Sequence, residues 1–135
     1  MELTKGYVQQ LFSHLESNQG KNFFSQVVEN VDWTVMGTHP LAGHYASKTD
    51  FLKHTFERLN GVLKEGVVLK VDEIHCAGNI AIVEMRSISA ANNGKPFDNR
   101  YCWVTYFNDD LQITKVRAYL DSALVAMVLA ENEGN

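Results

Sequence analysis

Asp121 is a carboxylate at a strand–helix junction: it follows an extended segment, Gln112–Leu120, and precedes the apolar run Ala123–Leu129. A carboxylate kept from water at the mouth of an apolar hollow has a raised pKa and exchanges protons near neutrality. The same position, followed by Ser122 and an apolar helix, also suits an N-cap whose oxygen accepts backbone N–H bonds. Both roles fit the sequence. Tyr101, Trp103 and Thr105 alternate along one strand and so share a face. A phenol, an indole N–H and a hydroxyl in an apolar wall suit a flat, largely apolar ligand, and a hollow filled by these side chains themselves is the alternative reading. His39 and His44 flank Pro40-Leu41-Ala42-Gly43. A loop histidine over a pocket can relay protons or meet an anionic group, although solvent-facing side chains are the ordinary state of such residues. The pair lacks helical spacing and a neighbouring Cys or third His, so no metal site is expected.

The elements that must position these residues follow from periodicity. Leu3, Tyr7, Val8, Leu11, Phe12 and Leu15 recur at helical spacing and predict a first helix that stops near Ser17-Asn18-Gln19-Gly20. A short second helix is expected with Phe23, Phe24, Val27 and Val28 inward. Val31–Met36 then reads as a strand closed by Gly37, and 38–46 as a loop. Ser47 with Asp50 resembles a capping box and opens a third helix, whose stripe is Phe51, Leu52, Thr55, Phe56 and Leu59 and whose end is Asn60-Gly61. The period then changes to two. Val67–Cys76, Asn79–Ala90, Phe97–Asn108 and Gln112–Leu120 predict four long strands joined by hairpin-sized connections. A last helix, Ala123–Leu129, precedes a polar tail. Helices first and antiparallel strands last define an α+β class, with one domain expected over 1–135.

The charge balance narrows the partners. Twelve Lys plus Arg against sixteen Asp plus Glu give a net charge of −4 with no basic block, which disfavours nucleic acid and anionic membrane. The longest apolar run, Ala123–Ala130, is less than half a membrane span. The N-terminus has no apolar signal-like core, and Cys76 and Cys102 form no C-x-x-C. A cytoplasmic location is therefore expected, with both cysteines read as small buried hydrophobes. Glu84, Arg86, Arg100, Lys115 and Arg117 fall on the strand face opposite the hollow, where a Glu84–Arg ladder at a dimer interface is expected.

The order α-α-β-α-β-β-β-β, with Trp33-x-Val35-x-Gly37, His39-Pro40-Leu41-Ala42-Gly43-x-Tyr45 and Ile113-x-x-x-Arg117-x-Tyr119-x-Asp121, resembles the nuclear-transport-factor-2-like (NTF2-like) superfamily. Within it, the SnoaL-like and ketosteroid-isomerase-related proteins are the nearest in pattern. The resemblance implies an NTF2-like cone: a strongly curved antiparallel sheet, N-terminal helices packed over its concave face, a pocket inside, and homodimerisation through the convex face. It also allows the enzyme templates of that superfamily to be laid on this chain. The steroid-isomerase base falls at Thr34, its oxyanion-hole Asp at Trp103, and its Tyr near Phe12 or Ser13, so that template is not met. The epoxide-hydrolase carboxylates fall at Ser87 and Ala118 and the Arg at Met85, which also fails. The polyketide-cyclase Asp matches Asp121, but no His stands on the preceding strand.

The expectation is thus a SnoaL-like protein that binds a small hydrophobic molecule, either as a cofactor-free isomerase or cyclase or as a non-catalytic carrier or interaction module. Asp121 is its candidate acid/base. Trp33, Thr34, Met85, Ser87, Tyr101, Trp103, Thr105, Leu120 and His39 are its candidate ligand contacts.

Overall fold

A computed structural model describes residues 2–133. Thr4 opens α1 (Lys5–Glu16) by accepting the Tyr7 N–H on its hydroxyl at 3.1 Å, and α1 buries Val8, Leu11, Phe12 and Leu15. The five-residue α2 (Gly20–Phe24) buries Phe23 and Phe24. Val27 and Val28, expected on that helix, instead begin β1 (Val27–Val35). The Ser25 hydroxyl and backbone N–H bond back to Asn22 and Lys21 and close the helix, and the β-branched pair then favours extended backbone. The expected loop 38–46 contains β2 (Gly43–Tyr45), which pairs with the end of β1.

The third helix is capped at Ser47 as expected but is broken in two, α3 (Lys48–His54) and α4 (Phe56–Val62). Thr55 sits between them at φ −124°, ψ −75°, with its hydroxyl donating to the Phe51 carbonyl at 2.6 Å. Such back-bonding by a buried threonine competes with the helix ladder and bends it.

The four long strands are β3 (Leu69–Ala77), β4 (Ile80–Ser87), β7 (Arg100–Phe107) and β8 (Ile113–Leu120). The outer ends of two expected strands split off as a separate small hairpin, β5 (Ser89–Ala90) with β6 (Pro96–Phe97). The main sheet runs β2-β1-β8-β7-β4-β3. It is mixed rather than wholly antiparallel, because β1 pairs with β8 in parallel. Irregularities in the pairing of β1 with β8, β3 with β4 and β7 with β8 add local twist.

α5 (Ser122–Asn132) is longer than expected, and its last residue, Asn132, is buried, accepting the Asn93 N–H at 2.8 Å. Among the described residues no helix is long and apolar enough to cross a membrane. The outer sheet face carries the charges, in a different pairing from the one expected: Glu84 meets His75 at 3.3 Å, and Arg86 meets Asp72 at 3.2 Å.

Candidate functional site

Strand alternation sends Trp33 from β1, Met85 and Ser87 from β4, and Tyr101, Trp103 and Thr105 from β7 to one face, and all six are buried. Trp33 and Trp103 lie on the strands either side of β8, whose intervening inner residues are Val116 and Ala118. The small Ala118 leaves room for the indoles to meet. Rings from the helices fill the remaining space. Phe51 stacks on Trp33 at 3.9 Å between centroids, and Phe12, Phe23 and Phe56 stand 6.1, 6.2 and 6.4 Å from Trp103. The hollow implied by the resemblance is thus occupied by the protein's own aromatic side chains.

This interior is apolar but not without polar atoms. The indole nitrogens of Trp33 and Trp103, the Tyr101 hydroxyl and the Ser87 hydroxyl are all buried without a hydrogen-bond partner. Buried polar groups are paired in the great majority of cases, so four orphans on one inner face are a departure that asks for an explanation. No Asp, Glu, Lys or Arg is buried among the described residues. Burial pushes the Tyr101 phenol far above its ordinary pKa, with the neighbouring Asn99 side chain acting weakly the other way. Tyr101 is therefore a neutral donor at any ordinary pH.

The other expected contacts are placed differently. Thr105 is satisfied internally, donating to the Ala81 carbonyl at 2.7 Å. Leu120 is half-buried opposite Tyr101. Thr34 alternates to the face opposite Trp33, paired with His44 on one side and Arg117 on the other, so it does not join the interior.

His39 is buried rather than solvent-facing. Its Nδ1 accepts the Leu41 N–H at 3.2 Å and its Nε2 faces the Met36 carbonyl at 3.0 Å, which requires the neutral tautomer protonated on Nε2. It braces the 36–41 turn, beside Gly37, whose φ of +115° and contact with Ser122 admit no side chain. His44 is exposed and meets Asp32 at 2.7 Å.

Asp121 caps α5: its Oδ1 accepts the Leu124 N–H at 3.2 Å and its side chain is exposed. Buried Asn99 brackets its backbone, accepting the Asp121 N–H at 3.0 Å. Its carboxylate is thus committed to the helix end, and the acid/base role expected of it finds no support in this geometry. Cys76 is exposed and Cys102 half-buried, contrary to their reading as core residues: Cys102 pairs with Glu84 on the outer sheet face, and Cys76 shares the inner side with Ala81 but lies near the end of the edge strand β3.

A cleft of about 710 Å³, not foreseen from the sequence, opens between the α1–α2 corner and the α3–α4 pair. Leu15, Phe24, Leu52, Phe56 and Val67 give it an apolar wall, and Lys21, Lys48, Glu57 and Asn60 stand along it. Phe24 and Phe56 were legible as inward-facing helix residues. The cleft runs along both halves of the helix broken at Thr55, a position that carries no Gly or Pro signal.

Helices over one face of a six-stranded mixed sheet, with this strand order, make an NTF2-like, ketosteroid-isomerase-like fold. An NTF2-like protein from Burkholderia thailandensis matches with a TM-score of 0.76 at 24% identity, over 90% of this chain and 93% of that one. TerC, co-crystallised with polyporic acid, matches with a TM-score of 0.70 at 16% identity, over 91% of this chain and 95% of its own. Two curated relatives are similar in sequence. The dimerizing cyclase phiC of a fungal species is 27% identical over 134 residues, covering 97% of this chain and 59% of its own length. The dimerizing cyclase tstC of Talaromyces stipitatus is 30% identical over 102 residues, covering 73% of this chain and 45% of its own length. The chain spans about half the length of the curated relatives it matches. No protein-family model matches it.

Proposed function

We propose that this protein binds a small molecule through a flat, uncharged ring portion bearing carbonyl oxygens, and acts on it by cofactor-free chemistry of the cyclase or isomerase type. The observation that carries the reading is the set of four unpartnered polar atoms on one charge-free inner face. Indole N–H groups are donors only, and hydroxyls donate readily, so the complementary ligand offers acceptors. A charged ligand would lack a counter-ion there and would meet a steep desolvation cost. The similarity to two dimerizing cyclases favours a ring-forming reaction.

In this reading Tyr101, not Asp121, is the group that works on the substrate. A neutral phenol held in an apolar wall donates to a carbonyl oxygen and stabilises negative charge that develops on it. Trp103 adds a second donor. The protein would pair with a second copy through the outer sheet face, and its two free cysteines suit the reducing cytoplasm.

A second reading, a carrier or interaction module without catalysis, is favoured by the density of the interior, where Phe51 lies flat on Trp33. The test common to both is quenching of tryptophan emission by 2-(hydroxymethyl)anthraquinone, a flat uncharged diketone. Saturable quenching in the wild type, weakened in Tyr101→Phe, supports the interior site. The absence of any saturable quenching refutes it. Proton exchange at a carbon next to a bound ketone, followed by mass spectrometry in deuterated water, separates enzyme from carrier.

A further inference from the structure

The helical cleft and the aromatic interior are separated by a single layer of side chains. Phe24 and Phe56 line the cleft. Their rings meet edge to face at 5.1 Å. On their far side, Phe24 stands 6.0 Å from Trp33 and Phe56 stands 6.4 Å from Trp103. Phe56 is also the first residue of α4, at the break after Thr55, and α4 begins without a side-chain cap. It is half-buried, so its ring has solvent on one side to turn into. Lys48 stands on the cleft wall with its ammonium donating to the Phe24 and Val27 carbonyls, each at 2.9 Å. An ammonium has three N–H donors, which leaves one for a ligand. Lys21, Lys48 and one carboxylate, Glu57, are the charged residues lining the cleft, and Glu29, beside Thr49, also interacts with Lys48.

We propose that the cleft is the outer half of a two-part site for a flat ring-bearing acid, whose anionic end rests at Lys48 while its uncharged carbonyl end passes between Phe24 and Phe56 to the two indole N–H groups. The proposal rests on the interior site described above and extends it by a substrate class and an entrance. The acid stays at the solvent edge, where its charge remains hydrated and paired. The ketone end reaches the donors that lack partners. The occupant is amphipathic along its length, as the site is.

Anthraquinone-2-sulfonate and uncharged 2-(hydroxymethyl)anthraquinone share one ring system and quench tryptophan on contact. Stopped-flow titration of wild type, Lys48→Met, Lys48→Arg and Phe56→Ala with each compound gives rates and affinities. The wild type is expected to prefer the sulfonate. Lys48→Met is expected to weaken the sulfonate about tenfold, as the loss of one charge-assisted hydrogen bond does, and to leave the uncharged compound unchanged. Lys48→Arg keeps the preference. Where Lys48→Met does not fold, Lys48→Gln, which removes the charge and keeps an N–H donor, carries the same comparison. Phe56→Ala is expected to quicken quenching by both compounds. Equal rates in Phe56→Ala and wild type, or the same sulfonate preference in every lysine variant, would overturn the entrance and the substrate class while leaving the interior site standing. Failure of the sulfonate alone to bind the wild type would overturn the substrate class, and failure of both compounds would remove the interior site as well.

Discussion

Trp33 and Trp103 meet edge to face across β8, their ring centroids 5.2 Å apart and their planes at 83°. The contact sets two opposing terms against each other. Two large rings buried together contribute several kcal/mol of transfer and contact energy, of the order seen when such a side chain is truncated. Against that, each indole N–H is buried without an acceptor, which costs about 1–3 kcal/mol apiece. Packing wins, and the unsatisfied donors remain as a standing demand for an acceptor.

Trp103→Ala tests the packing side of this balance. The ring touches Phe12, Phe23, Phe56, Trp33 and Tyr101, so its loss is expected to destabilise the fold by about 3–5 kcal/mol in denaturant melts. A change near zero would show that the ring is not part of the core.

Tyr101→Phe tests the donor side. The hydroxyl it removes is buried without a well-formed hydrogen bond, so the free protein is expected to gain stability, by up to about 1–3 kcal/mol. The same change weakens binding of a ring ketone. Opposite signs in the two measurements are the signature, and destabilisation of the free protein would mean that the hydroxyl is satisfied after all.

Asp121 separates capping from chemistry. Asparagine caps a helix about as well as aspartate, so Asp121→Asn should melt within about 0.5 kcal/mol of wild type, while Asp121→Ala should lose about 1 kcal/mol. Ketone affinity should follow neither change. A variant that folds as wild type but loses all proton exchange at bound ketone would return Asp121 to the acid/base role.

The pH dependence of α5 follows from Glu133. Arg58 grips it with two hydrogen bonds, at 2.9 and 2.8 Å, and holds its carboxyl below the ordinary range, against a weak opposing effect of burial. Because the folded state binds that proton less tightly than the unfolded chain, the stabilisation is complete above the ordinary glutamate pKa of about 4.3 and is lost as pH falls through the lowered folded value. Both side chains are about a third or more exposed, so the effect is under about 1 kcal/mol. Glu133→Gln should flatten that part of the stability curve between neutral and acid pH and leave the tryptophan emission as it was. An unchanged acid limb in the variant would remove Glu133 from the account.

Much of the fold was legible because a half-buried strand writes itself as alternation: Tyr101, Trp103, Thr105 and Phe107 are all inward and the residues between them are not. The helix caps at Ser47 and Asp121 were legible for the same local reason. What stayed hidden depends on partners distant in sequence. Nothing in Val27–Val35 reveals that it will lie parallel to β8, and Thr34 was misplaced with Trp33 although adjacent strand residues face opposite ways. His39 reads as a loop residue until the Met36 carbonyl and Leu41 N–H fold around it. The break at Thr55 interrupts a helix whose stripe is otherwise continuous, and the cleft beside it is lined from segments distant in sequence. A filled hollow was one of two readings open on the sequence, since Trp103 stands where a smaller residue would leave space; the four polar atoms left without partners were not legible.

The chain has two tryptophans, so its ¹H–¹⁵N spectrum holds two indole cross-peaks, one for each donor at the centre of the site. Titration with a flat ring diketone, read at those two peaks, tests the interior site most directly. Both indole protons are expected to move downfield and saturate together as they gain an acceptor, with smaller shifts in Tyr101→Phe. Two stationary indole peaks, while amides elsewhere respond or nothing responds, would contradict it.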